Sequence, residues 1–166
     1  EQLSLTEITQ PLLLTAGVAL YRAWTAARGA SVSFMAGHSL GEYTALTAAG
    51  SLPLADAVRL VRSRGQFMQE AVPKGVGAMA AVIGLDDATI ESVCAEVASE
   101  MGLVIEAVNY NAPGQLVIAG HAQAIDASLP RLKEAGAKRA LPLPVSAPFH
   151  CALMKPAAER LQDELN

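Results

Sequence analysis

The sequence predicts a mixed α/β chain in two parts, a larger α/β lobe of helices around a buried sheet and a small βαββαβ insert. Three observations predict it. Ala, Leu and Val at helical spacing dominate the first seventy or so residues. From Gly77 the texture changes to short strands and helices in alternation. Gly- and Pro-containing breaks fall between these stretches. A chain of 166 residues, 52% hydrophobic and 17% charged, suits packed helices on a sheet rather than disorder. The large lobe is expected over 1–76 and 144–166, and the insert over 77–143.

Thr9, Gln10 and Pro11 are expected to open the first helix. Thr9 is a suitable cap, and Pro11 suits a first turn because its missing N–H has no partner there. Leu12, Leu13, Ala16, Leu20 and Trp24 follow at helical spacing, and Gly29 marks a stop. Ser31 to Ala36 is β-prone and ends at Gly37. A second helix should run from Ser39 to about Ala49, ended by Gly50. A third should start at Pro53-Leu54 and break at Pro73-Lys74-Gly75. In the insert, Ala78 to Ile83 predicts a strand and Asp86 caps a helix reaching Glu100. Val104 to Val108 and Gln115 to Ala119 predict two strands joined through Asn109 to Gly114. A helix over Ala122 to Ala135 stops at Gly136, and Ala140 to Val145 is extended, with Pro142 and Pro144 placing it at an edge. The order β-α-β-β-α-β is the split ferredoxin-like pattern.

Several function classes are excluded at this stage. The net charge of −4 gives no footing for nucleic acid. Pro11 to Leu20, the longest apolar run, is too short to span a bilayer, and Glu1 to Gln10 has no basic signal-like start. Cys94 and Cys151 are far apart and lack metal-ligand spacing, so reduced cytosolic thiols are expected, and no cofactor or metal. Glu1 in place of Met, and a helical pattern still running at Asn166, suggest a segment of a longer protein.

Gly37-His38-Ser39-Leu40-Gly41 is G-x-S-x-G between an expected strand and an expected helix. A turn this sharp lifts the serine hydroxyl over a helix N-terminus, where the Leu40 backbone N–H can receive a developing oxyanion. A chance Gly/Ser turn is the alternative, and the strand-turn-helix context weighs against it. Serine needs a base. Of the three histidines, His38 adjoins Ser39 and diverges from it, and His121 lies at a strand end, expected exposed. His150, in Ser146-Ala147-Pro148-Phe149-His150, follows the serine in the order such an elbow requires. No Asp between them is an evident third member, since Asp56, Asp86, Asp87 and Asp126 all look like helix-start residues.

Gly37 to Tyr43 resembles the nucleophile motif of the malonyl-CoA:acyl carrier protein transacylase family. Arg64-Gly65-Gln66-Phe67-Met68-Gln69, Gly77-Ala78-Met79, Asn109 to Gln115 and Pro148-Phe149-His150 resemble its further motifs in order. The likeness covers essentially the whole chain. It implies an α/β-hydrolase-like lobe with a ferredoxin-like insert, and a Ser39–His150 pair whose histidine is oriented by a backbone carbonyl. It implies malonyl-CoA and acyl carrier protein as partners. It places Arg64 against the substrate's free carboxylate, which a guanidinium fork holds through two parallel hydrogen bonds, selecting malonyl over acetyl. A surface Arg with a buried stem is the plain alternative. The resemblance also puts Phe149 and Met68 in the specificity pocket, with simple packing as the alternative. Lys138-Arg139, near Lys133 and Arg131, is a candidate contact for an acidic carrier protein, or else a solvated helix end. The family's Gly-Gln-rich oxyanion loop and the carbonyl that orients the histidine have no counterpart in this sequence, so weak transfer by these residues alone is expected. Two other functions stay open: a serine esterase or thioesterase, which needs an acid for His150 and has no use for Arg64, and a non-catalytic core.

Overall fold

The computed structural model describes residues 3, 5–145 and 147–165. They form two compact units, one holding the chain up to Phe67 together with the residues from Leu161, the other running from Met68 to Arg160. Ser146, in the loop before His150, lies outside the described residues.

The first unit is helical: α1 (Thr6–Ala26), α2 (Leu40–Ala48) and most of α3 (Leu54–Glu70). Its core is Leu14 and Val18 of α1 against Ala57 and Val61 of α3, with Leu40, Tyr43, Leu52, Leu54 and Val58 packed around them. Burying four such side chains contributes roughly 1–3 kcal/mol each. α1 starts four residues earlier than the Thr9 cap implies. Leu5 precedes its first turn, and the Thr9 hydroxyl instead donates to the Leu5 carbonyl at 3.0 Å, inside the helix. Pro11 therefore sits within α1, at the cost of one backbone bond. The inward face is also not the expected one. Gln10, Leu14 and Val18 are buried at i, i+4, i+8, whereas Leu12, Leu13, Leu20 and Trp24 are 48–73% exposed. The stop lies at Arg28, left-handed at φ 59°, and the Gly29 N–H closes the turn on the Trp24 carbonyl.

Residues 31–36 form no strand. A strand exists through a hydrogen-bonded neighbour, and the sheet described here lies wholly in the second unit. Phe34 is 94% exposed. α2 and α3 lie close to expectation, with Gly50 ending the former at φ 81°. α3 stops at Glu70, ahead of the Pro73 break.

The second unit carries β1 (Gly77–Ile83), α4 (Asp87–Met101), β2 (Ile105–Ala112), β3 (Gln115–His121), α5 (Ala122–Glu134), β4 (Arg139–Pro142), a short 3₁₀ turn (Ala152–Met154) and the start of α6 (Lys155–Leu165). The sheet order is β2-β3-β1-β4, and every neighbouring pair is antiparallel. Asp86 caps α4 as expected, its carboxylate accepting from Thr89 N at 2.9 Å. Strand alternation sends Ala80, Val82, Leu116 and Ile118 to the helix side, against Ile90, Val97, Ile125 and Leu132. Met79, Val117 and Ala119 face the other way, where Phe149 and Cys151 pack.

Two expected boundaries move. Asn109 to Ala112 continue β2 rather than forming a loop, because Gly114 at φ 72° turns the chain in two residues, Pro113 and Gly114, and pairs Ala112 with Gln115. β4 is short, and Pro142 ends it on the sheet edge, where a missing N–H does least harm.

Candidate active site

Ser39 stands at the point where an irregular segment enters α2. Its backbone is left-handed, φ 54° and ψ −112°, a conformation that costs a non-glycine residue about 1–3 kcal/mol. The turn is so tight that a Cβ on Gly37 would lie 1.9 Å from the Gly41 carbonyl carbon and 2.4 Å from Glu42 N. At Gly41 there is open space, so only the first glycine of the motif is sterically required by the described residues. The Gly41 N–H is bonded to the His38 carbonyl at 2.8 Å and the Glu42 N–H to the Ser39 carbonyl at 3.3 Å, which puts the Leu40 amide at the head of α2. Gly37→Ala is expected to destabilise the first unit by about 3 kcal/mol or more and to abolish reaction at Ser39. The urea midpoint and a serine-acylation assay check this; an unchanged midpoint would mean that the turn relaxes freely.

Arg64 reaches the serine from α3. One arm, Nη2, donates to Ser39 Oγ at 3.0 Å, and the other, Nη1, donates to Gln10 Oε1 at 2.6 Å. The guanidinium carbon lies 5.4 Å from the centre of the Tyr43 ring. Burial pulls the Arg64 pKa below the ordinary arginine value, opposed by Tyr43 and Glu42; the side chain stays cationic near neutral pH. Gln10 is 5% exposed, and its Nε2 donates to Thr6 Oγ1 at 3.1 Å. Nearby, Gln66 Nε2 donates to Glu7 Oε2 at 2.9 Å, a second tie between α3 and the start of α1. The first unit thus brings together Ser39, Leu40 and Arg64, and adds Gln10. Sequence reading passed over Gln10 as a helix-start residue. Its signal is only that a glutamine shares the i, i+4, i+8 stripe with Leu14 and Val18.

The other candidate residues belong to the second unit. His150 is exposed in a turn and left-handed at φ 69°. Phe149 is half-buried against the Met79–Val117–Cys151 cluster, and Met68 is 8% exposed. Lys138 and Arg139 are exposed, at and just before the first residue of β4. Arg131 is committed elsewhere, its two arms on the Glu100 carboxylate at 2.9 and 2.5 Å. His121 is half-buried rather than exposed, its Nδ1 accepting the Val104 N–H at 3.0 Å, a structural tie between strands. Of the aspartates, Asp86 caps α4 and Asp56 pairs with Arg59, whereas Asp87 Oδ1 is buried with no hydrogen-bond partner among the described residues. Burial pushes the Cys94 thiol up to about 12 and raises that of Cys151, so neither is a ready nucleophile. Two grooves of about 700 and 640 Å³ flank residues 32–37. Neither Ser39 nor Arg64 lines them. Among the described residues no helix is long and apolar enough to cross a membrane, and no group of His, Cys, Asp and Glu could hold a metal ion.

The family model for the acyl transferase domain matches residues 1–166. The chain belongs to the acyl transferase domain family. The malonyl CoA-acyl carrier protein transacylase of Escherichia coli (strain K12) is 62% identical over 165 residues, covering 99% of this acyl transferase chain and 53% of that protein. The structure of the malonyl CoA-acyl carrier protein transacylase from Coxiella burnetii superposes with a TM-score of 0.95 at 53% identity, over 98% of this chain and 51% of that one. A malonyl-transacylase solved in complex with its type II PKS acyl-carrier protein gives a TM-score of 0.95 at 54% identity, over 98% and 52%. The acyl transferase chain therefore spans about half the length of the relatives it matches.

Proposed function

We propose that the whole protein transfers a malonyl group from malonyl-CoA to the thiol of an acyl carrier protein, in fatty acid biosynthesis in the cytoplasm. The observation that carries this reading is the Arg64 arm 3.0 Å from Ser39 Oγ. Once the serine is acylated by malonyl, the free carboxylate lies one methylene beyond the ester carbonyl, within reach of a fork that already touches Oγ. An acetyl ester has nothing to offer that cation. An esterase has no use for it.

Ser39 Oγ attacks the thioester carbonyl while His150 accepts its proton, and the Leu40 N–H stabilises the resulting oxyanion. The C–S bond then breaks, and the coenzyme A thiol leaves with the proton from His150. The carrier thiol next attacks the seryl ester, its proton passing to His150 and then to Ser39 Oγ as the ester bond breaks. No cofactor enters either half-reaction. Phe149 and Met68 border the acyl group in this reading, and Lys138 and Arg139 offer positive charge to an acidic carrier protein.

The domain reading is of the same kind. The second unit's sheet is a ferredoxin-like module over 77–143, supported by its β2-β3-β1-β4 order and antiparallel pairing. Residues 1–76 and 144–166 then belong to an α/β-hydrolase-like lobe, supported by the strained turn that carries Ser39 into α2.

Because one serine serves donor and acceptor in turn, reciprocal initial rates plotted against reciprocal malonyl-CoA concentration at several carrier concentrations are expected to give parallel lines. Intersecting lines would point to direct transfer within a ternary complex and remove Ser39 from the covalent role.

A further inference from the structure

We infer that Gln10 is a positioning residue for Arg64 and, through it, sets selectivity for acyl groups that carry a free carboxylate; this rests on the reading of Arg64 given above. The buried polar side chains of the described residues are Gln10, Thr47 and Ser128. Thr47 and Ser128 bond back to carbonyls of their own helices, Tyr43 and Ile125, both at 2.7 Å. Such bonds satisfy a hydroxyl locally and reach no other element. Gln10 instead reaches across 54 residues of sequence to Arg64 at 2.6 Å.

The orientation of its amide follows from chemistry. A guanidinium only donates, so the amide oxygen must face Arg64, which turns the amide nitrogen toward the Thr6 hydroxyl at 3.1 Å. The amide is thus held from both ends. Below it, Leu14 and Val18 continue the same face of α1 into the core and fix the helix. Arginine has a long, rotamer-rich stem, and a fork free to wander reads a carboxylate poorly. With Nη1 tied to Gln10 and the guanidinium beside Tyr43, the remaining arm is aimed at the serine.

The neutral amide also matters. It accepts a hydrogen bond without cancelling the cation. A carboxylate at this position would pair with Arg64 and compete with the substrate's own carboxylate.

The test is steady-state transfer of malonyl and acetyl groups by the whole protein carrying Gln10→Met, Gln10→Glu or Thr6→Val, with thermal melting to monitor folding. Gln10→Met keeps the length and removes the acceptor. It is expected to raise KM for malonyl-CoA roughly tenfold to a hundredfold, with kcat and acetyl transfer little changed. Gln10→Glu should lower malonyl transfer at least as far. Thr6→Val, which frees only the far end of the amide, should shift the malonyl-to-acetyl ratio in the same direction by a smaller factor, about two- to tenfold. An unaltered ratio in a folded Gln10→Met protein, or equal loss with both substrates, overturns the inference. Should Gln10→Met fail to fold, an unaltered ratio in Thr6→Val overturns it instead. If Arg64→Ala itself leaves the ratio unaltered, the carboxylate role of Arg64 fails, and this inference fails with it.

Discussion

Arg64→Ala is expected to lower malonyl transfer by about a hundred- to a thousandfold while acetyl transfer holds or rises. The guanidinium is half-buried, one arm on Gln10 and one on Ser39 Oγ. A charge paired in such a place contributes a few kcal/mol, and most of that is lost when one partner is deleted. Acetyl makes no such pair, so it loses nothing and gains a cavity free of an unmatched cation. Arg64→Lys should recover little. An ammonium cannot hold Gln10 and a carboxylate through two separate arms set in one plane, as the fork does. The measurement is kcat/KM for both donors on the three proteins. Equal losses with malonyl and acetyl would make Arg64 a structural residue that holds α3 to the serine turn, and the malonyl assignment would lose its main physical support.

Ser39→Ala is expected to abolish the malonyl adduct and to reduce transfer by roughly 10⁴-fold or more. Peptide mass after incubation with malonyl-CoA should place the added group on the peptide that contains Ser39. The strained backbone at φ 54° sets Ser39 at the N-terminus of α2, with Oγ 3.0 Å from the Arg64 fork. A cysteine adduct is the chief rival outcome. The thiol of Cys94 is raised to about 12 by burial, and that of Cys151 is raised for the same reason, so thiolate is scarce at neutral pH. An adduct on either cysteine, or one that survives Ser39→Ala, would displace the serine mechanism.

How much of this could be read from residues alone varied with the range of the forces involved. The tight turn and helix half of the expected elbow was legible because its signal is local: Gly37, Ser39 and the helix that follows are set by sterics within five residues, whereas the strand expected before it did not form. The Asp86 cap and the Gly136 stop were legible for the same reason. The strands of the second unit were expected close to where they lie, though the hairpin turn proved to be two residues rather than six. Polar side chains at Asn109 and Asn111 look like loop, yet β2 continues through them because β3 supplies a partner. The segment 31–36 erred in the opposite direction. Its β-prone residues find no partner strand among the described residues, and they remain irregular.

Residues alone marked Ser39 as a candidate nucleophile, His150 as a candidate base, Arg64, and the order of elements in the second unit, since each rests on short-range chemistry or on a recognisable motif. Which face of α1 turns inward was set by long-range packing. Leu12, Leu13, Leu20 and Trp24 and the stripe of Gln10, Leu14 and Val18 both have helical spacing, and a period of 3.6 cannot choose between them without knowing where α3 lies. The same choice brought Gln10 to Arg64. A contact across 54 residues depends on how two helices cross, and no local propensity records that crossing.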